Sequence, residues 1–293
     1  GGVWHDGTKV VRHQGETRMR KVGMAVVLLA TGLVLPALSS SSAQADGAGV
    51  GSPWVVSLGD SYISGEGGRW AGNSNSSSSS VDAGGAAAYF DNATHTAETI
   101  NRCHRSTAAE IYIGGGVNSL NLACSGAKTA TFTSSDGYFK PGIDFYSNGA
   151  NQGQALMLQN FAATHNVTMI QLSIGGNNYG FADIIQRCVT NFLTSPSWWP
   201  NYCNDDSAVT ANFTTANITA QTNAILGAIN NIKTAMANAG YSAGQYTIVQ
   251  QTYPSPVPNG SAFRYSQSGF TRQSTGGCGF WNNDANWANS TAL

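Results

Sequence analysis

Short apolar runs that stop at glycine, separated by longer stretches with one apolar side, limit what this chain can fold into. Residues 54–58 (Trp-Val-Val-Ser-Leu) lie between Pro53 and Gly59, and residues 167–174 run into Gly175-Gly176. Brief runs of this kind, rich in β-branched residues and bounded by turn formers, read as buried strands. Residues 120–124 and 246–250 supply two more. Between them, residues 105–113, 154–164 and 207–239 read as helices; in the last, Ile218, Ile225, Ile229, Ile232 and Met236 recur along one helical face. Strands that alternate with helices must cross over to pair, which gives parallel βαβ units in one open sheet with helices on both faces. A Gly-, Ser- and Asn-rich tract at 72–85 reads as an exposed loop.

The first 45 residues read as processing sequence. Met19 is followed by Arg20-Lys21, an apolar stretch to Leu35, and Ala43-Gln44-Ala45. That order is a basic segment, a short apolar segment and a small-residue cleavage site. The apolar stretch is about half of the ~20 residues a membrane span requires, so residues 19–45 are expected to be a secretion signal and not an anchor. Residues 1–18 are expected to be upstream, non-structural sequence, and one domain is expected over 46–293. Only 10% of residues are charged and the net charge is −1. Without a basic cluster, binding to nucleic acid or to an anionic membrane is not expected. A monomer acting outside the cell on a neutral small molecule fits this surface better.

In a parallel sheet, reactive groups gather where the strands end at their carboxyl side. Three strand ends here carry small or polar clusters: Gly59-Asp60-Ser61-Tyr62-Ile63-Ser64-Gly65-Glu66-Gly67, Cys124-Ser125-Gly126-Ala127 and Gly175-Gly176-Asn177-Asn178. A serine on a turn, an exposed backbone N–H and a side-chain amide are the parts of a nucleophile with an oxyanion hole. Each cluster alone would pass for a tight turn or a helix cap. Their coincidence at successive strand ends favours chemistry.

Taken together, these blocks resemble the SGNH, or GDSL, hydrolases, specifically the bacterial secreted esterases and lipases whose first block reads like GDSYxSGEG. The resemblance extends from Trp54 to the end of the chain. It implies a flavodoxin-like three-layer α/β/α sandwich and ester hydrolysis, with Ser61 as nucleophile and the oxyanion held by the Ser61 N–H, the Gly126 N–H and the Asn177 amide. No cofactor or metal is implied. Asn178 stands where the family's third block has aspartate. The substrate class is a lipid, an acylated sugar or another small ester.

The family's last block, Asp-x-x-His, is absent. The histidines are His5, His13, His95, His104 and His165, and none sits in such a motif. A serine without a base is a poor nucleophile, so the chain is expected to be nearly inactive as it stands. The domain is expected to be incomplete at its C-terminus, lacking a last strand and helix. The five cysteines leave several pairings open; Cys103 with Cys124 and Cys188 with Cys203, leaving Cys278 over, is the expected one. Two aromatic groups, Trp198-Trp199 with Tyr202 and Phe280-Trp281 with Trp287, are candidate pocket walls or loop packing. The competing reading is a secreted, non-catalytic carbohydrate-binding protein that uses those aromatics on the same scaffold.

Overall fold

A computed structural model describes residues 46–67, 85–264, 266–268 and 279–292. Four strands, β1 (Pro53–Gly59), β2 (Asn118–Asn121), β3 (Asn166–Ser173) and β4 (Thr247–Gln250), form one sheet in the order β2-β1-β3-β4. Every pairing is parallel. From β1 the chain steps outward to β2 and then returns to lay β3 on the other side of β1. The reversal places a switch point between β1 and β3, where open α/β sheets hold their ligands beyond the carboxyl ends.

Helices flank the sheet: α1 (Ser61–Ser64), α2 (Gln154–Ala162), α3 (Phe181–Thr194), α4 (Ser207–Thr210), α5 (Thr215–Asn238) and α6 (Asn282–Trp287). Against one face of the sheet, Leu158 and Ala162 of α2 and Ile232 and Met236 of α5 pack with Val56, Leu58, Ile170 and Leu172, all fully buried. At roughly 1.5–3 kcal/mol for each large aliphatic side chain, this cluster is the main source of stability. Neighbouring strand positions point the opposite way, so Val55 and Met169 meet Ala109 and Ile111 on the other face. A second cluster joins Cys188, Cys203, Val209, Val257, Phe280 and Ala285. Asp284 fixes α6 there, its Oδ1 accepting the Cys203 and Asn204 N–H groups at 3.0 Å each.

Three local expectations change. Residues 105–113 form turns, not a helix. The buried Arg105 guanidinium donates to the carbonyls of Ala123 at 2.8 Å and Leu122 at 2.9 Å, and Ser106 N–H donates to Ser64 O. These long-range bonds hold the backbone in a path that local helix propensity would not choose. The second strand lies two to three residues earlier than expected, although Leu122 and Cys124 still donate to Ser57 O and Gly59 O of β1. The long helix at 207–239 is broken: α4 ends at Thr210, a 3₁₀ turn spans Ala211–Phe213, and Thr214 caps α5 by accepting from Asn217 N–H. Ile218 sits just past that break, 42% exposed.

Cys103 is bonded to Cys124 and Cys188 to Cys203. Cys278, the 1–45 segment and the tract from 72 to 84 lie outside the described residues. Among the described residues, no helix is long and apolar enough to cross a membrane.

Candidate active site

The turn after β1 is built from the backbone outward. Gly59 has φ +139°, and a Cβ there would stand 1.9 Å from Ser173 O, so only glycine lets β1 end this close to β3. The buried Gln154 side chain grips the same residue: its Oε1 accepts from Gly59 N–H at 2.7 Å, and its Nε2 donates to Gly59 O at 2.9 Å and Pro141 O at 2.8 Å. Asp60 N–H then donates to Ser173 O at 3.0 Å, and the Asp60 carboxylate caps α1 by accepting Tyr62 N–H at 3.1 Å. Ser61 follows as the first helical residue. Its N–H is therefore one of the donors a helix start leaves without an intrahelical acceptor.

Gly126 has φ +77°, and the nearest atom to an added Cβ is Lys140 Cε at 3.6 Å, so the requirement for glycine is conformational and not steric. Its loop is fastened on several sides. The Cys103–Cys124 disulfide precedes it, Ser125 Oγ donates to Glu66 Oε2 at 2.5 Å, and the Lys140 ammonium donates to Ser125 O at 2.8 Å. Glu66 also faces His104 Nδ1 at 2.8 Å. The hydrogen bond from His104 is the first cause holding the Glu66 carboxyl below its ordinary range, with burial opposing it.

Asn177 lies on the 3₁₀ turn Gly176–Tyr179 after β3. Its Nδ2 donates to Ala127 O at 3.0 Å, which joins the third block to the second and leaves the other amide hydrogen for a ligand. Asn178 uses both ends of its amide: Oδ1 accepts from Thr129 N–H at 3.0 Å, and Nδ2 donates to Thr129 Oγ1 at 2.7 Å and Gln221 Oε1 at 3.0 Å. An aspartate could accept at this place but not donate.

Ser61 and Asn177 border one cavity of about 420 Å³. Gly126 is not among its lining residues and joins the site through Ala127. The cavity wall is mostly apolar, with Ile184 and Ile185 from α3, Phe213 and Ile218 around the break before α5, and Val257, Phe280 and Trp287. Two of the aromatics singled out in the sequence, Phe280 and Trp287, thus line it, whereas Trp281 is buried edge-on to Phe192. Trp198 and Trp199 are 76% and 79% exposed.

Comparison with protein-family models finds no match, and neither does comparison with curated proteins. Among solved structures, the extracellular lipase from Streptomyces rimosus is similar. It shares 21% identity over 83% of this chain and 76% of that one, with a TM-score of 0.38. A likeness at that level carries no argument, so the site stands on its own geometry.

The three described histidines are engaged with other groups. His104 pairs with Glu66 and stacks on Tyr89 at 4.6 Å. His165 stacks on Phe161 at 3.8 Å beside the start of β3, and His95 bonds Phe90 O at 3.2 Å. Among the described residues the cavity lining holds no histidine and no cation, and its ionisable groups are Asp60, Tyr62, Tyr179 and Asp60's partner Tyr253. Among the described residues no cluster of His, Cys, Asp and Glu could hold a metal.

Two residues of the site escape sequence reasoning. Gln154 appears there only as the first residue of a helix, and Tyr253 not at all. The Tyr253 hydroxyl donates to Asp60 Oδ2 and accepts Gly176 N–H at 3.0 Å. Asp60 is 1% exposed, and burial pushes its carboxyl up to about 6 from 3.8, with the Tyr253 and Tyr62 hydrogen bonds opposing the rise.

Proposed function

We propose that this protein is a secreted ester hydrolase that forms an acyl-enzyme on Ser61. The observation that carries the reading is the placement of Ser61, at the switch point between β1 and β3, on the same apolar cavity as the Asn177 amide. Attack of the Ser61 hydroxyl on an ester carbonyl forms the Oγ–C bond, passes the hydroxyl proton to water or an added base, and puts negative charge on the carbonyl oxygen. The Ser61 N–H, the Gly126 N–H and the free Asn177 amide hydrogen are the donors for that charge. Collapse of the tetrahedral species breaks the ester C–O bond and expels the alcohol, which takes up a proton from water or the added base, and water then attacks the acyl carbon, breaks the Oγ–C bond and releases the acid. Each such donor is worth roughly 10²–10³ in rate where it has been removed from comparable sites.

The apolar wall favours an acyl group that is itself apolar. The two disulfides and the secretion-like segment at 19–45 support an extracellular location. With no imidazole on Ser61 among the described residues, this chain should hydrolyse p-nitrophenyl butyrate slowly, and added imidazole should speed it. With imidazole added as the base, the Ser61 hydroxyl attacks a fluorophosphonate, forming an O–P bond and expelling fluoride while its proton passes to the imidazole. Mass spectrometry after such labelling should find the adduct on Ser61 and none on Ser61→Ala; equal labelling of both proteins overturns the proposal. The carbohydrate-binding alternative loses Trp281, which is 4% exposed, and keeps Trp198, Trp199, Tyr202 and the cavity-lining Phe280 and Trp287.

A further inference from the structure

Ser61 and Asn177 come from different strand ends, and a nucleophile and its oxyanion donor must keep a fixed separation. One backbone bond, from Asp60 N–H to Ser173 O at 3.0 Å, joins the ends of β1 and β3. The residue before each one, Asp60 before Ser61 and Gly176 before Asn177, is also held by one group from a third strand end. Tyr253 lies three residues past β4. Its hydroxyl donates to Asp60 Oδ2 while accepting the Gly176 N–H at 3.0 Å. Its ring packs edge-on against Tyr62, centroids 4.9 Å apart, and a Cβ on Gly176 would come within 3.3 Å of Cζ of that ring. The phenol therefore touches both turns, and glycine at 176 lets the backbone come that near.

From this arrangement we infer that Tyr253 is a positioning residue that sets the distance between the Ser61 nucleophile and the Asn177 oxyanion donor. The inference rests on the acyl-enzyme reading of Ser61. Tyr253 does not touch reacting atoms; it acts through Asp60 and Gly176. The groups that face the Asp60 carboxylate are its own N–H, the Tyr62 N–H and phenol from α1, and the Tyr253 hydroxyl, which Ser173 of β3 also meets; no described cation or histidine contributes to its charge balance. The Tyr253 bond is thus the main side-chain support of that carboxylate. Burial and the neighbouring Asp60 charge push the Tyr253 hydroxyl well above its ordinary range, so it stays a proton donor throughout the working pH range.

The test measures fluorophosphonate labelling of Ser61 as a function of probe concentration and pH, at a fixed concentration of neutral imidazole as the base, in the unmodified chain and in Tyr253→Phe. Misplacement by an ångström costs about 10²-fold in comparable sites. The limiting rate should therefore fall roughly ten- to hundredfold, while the half-saturating probe concentration stays within about twofold because the ring still lines the cavity. The acid limb of the rate, with a midpoint near the Asp60 value of about 6, should move to higher pH once the phenol bond is gone. A chain carrying 3-fluorotyrosine at 253, which keeps the hydroxyl, should label at the unmodified rate. If Tyr253→Phe labels at the unmodified rate with the same pH dependence, the positioning role is overturned. If it loses rate and the fluorotyrosine chain loses it equally, the hydroxyl bridge is overturned in favour of ring packing. A lack of any Ser61 adduct in the unmodified chain instead overturns the acyl-enzyme reading, a result separate from either of these.

Discussion

Replacing Asp60 with asparagine should stabilise the protein at neutral pH. The carboxylate is 1% exposed and has no cationic partner, and its rise from 3.8 to about 6 is dominated by loss of water. At about 1.4 kcal/mol for each pH unit, the charged form costs the fold about 3 kcal/mol. The folded state binds this proton more tightly than the unfolded chain does. Stability from this group is therefore fully present below about pH 4, declines as pH rises through 4 to 6, and is absent above that window. Asparagine has the same shape. Its Oδ1 can accept Tyr62 N–H as before, and its amide can donate to the Tyr253 hydroxyl. Urea unfolding with the disulfides intact, repeated from pH 4 to pH 8, should give nearly equal stabilities for the two proteins at the acid end. At the alkaline end Asp60→Asn should be ahead by up to about 3 kcal/mol. Every other titrating group is common to both proteins and cancels from the difference. A difference that stays constant with pH would refute the claim that a desolvated Asp60 charge is carried in the fold.

Gln154→Ala should destabilise by about 3–5 kcal/mol, because it strands the Gly59 N–H and the Pro141 carbonyl in a dry interior at roughly 1–3 kcal/mol each and leaves a cavity as well. Thermal unfolding checks this, and a change below about 1 kcal/mol would mean the amide is dispensable. Cys188→Ser with Cys203→Ser opens a link between residues 15 apart and should cost about 3 kcal/mol by chain entropy, read from the urea midpoint. Because Cys188 also lines the cavity, binding of an apolar dye there should change in the same variant.

The parts of the fold that a single sequence discloses are those in which each residue reports its own environment. β1 is buried from Val55 to Gly59 and β3 at Val167, Ile170, Leu172 and Ser173, and the apolar residues at these positions, bounded by turn formers, put both strands within a residue of their expected bounds. The helix breaks and the second strand obey another rule. The break at Thr210 to Thr214 precedes the stripe of isoleucines, all of which lie in α5, and Ile218, though spaced like a core residue, borders the cavity. Residues 105–113 have acceptable helix formers, yet Arg105 finds its acceptors 17 and 18 residues further on. The contents of the cavity wall were equally hidden: Phe280 and Trp287 line it while Trp281, between them in sequence, is buried elsewhere.

The same distinction explains the sparse charge. Ser61, Gly126 and Asn177 could be picked out because each stands in a short block beside a strand, but what holds them does not stand there. Gln154 reaches Gly59 across 95 residues, Tyr253 reaches Asp60 across 193, and Asn178 reaches Thr129 across 49. All of these are neutral groups that both donate and accept or can satisfy backbone atoms on either side. Buried neutral amides and hydroxyls with partners cost far less than buried ions. A sheet whose strand ends must be joined to one another in a dry interior is therefore better served by Asn, Gln, Ser and Tyr than by salt bridges. Only 10% of the chain is charged, and among the described residues of the cavity lining Asp60 is the one acid. A buried carboxylate at the foot of the nucleophile, with hydrogen bonds from Tyr62 and Tyr253 but no cation among the described residues, is the exception to that economy of charge, and the two turns that meet over it, through Tyr253, are the place where stability and reactivity should be found to oppose each other.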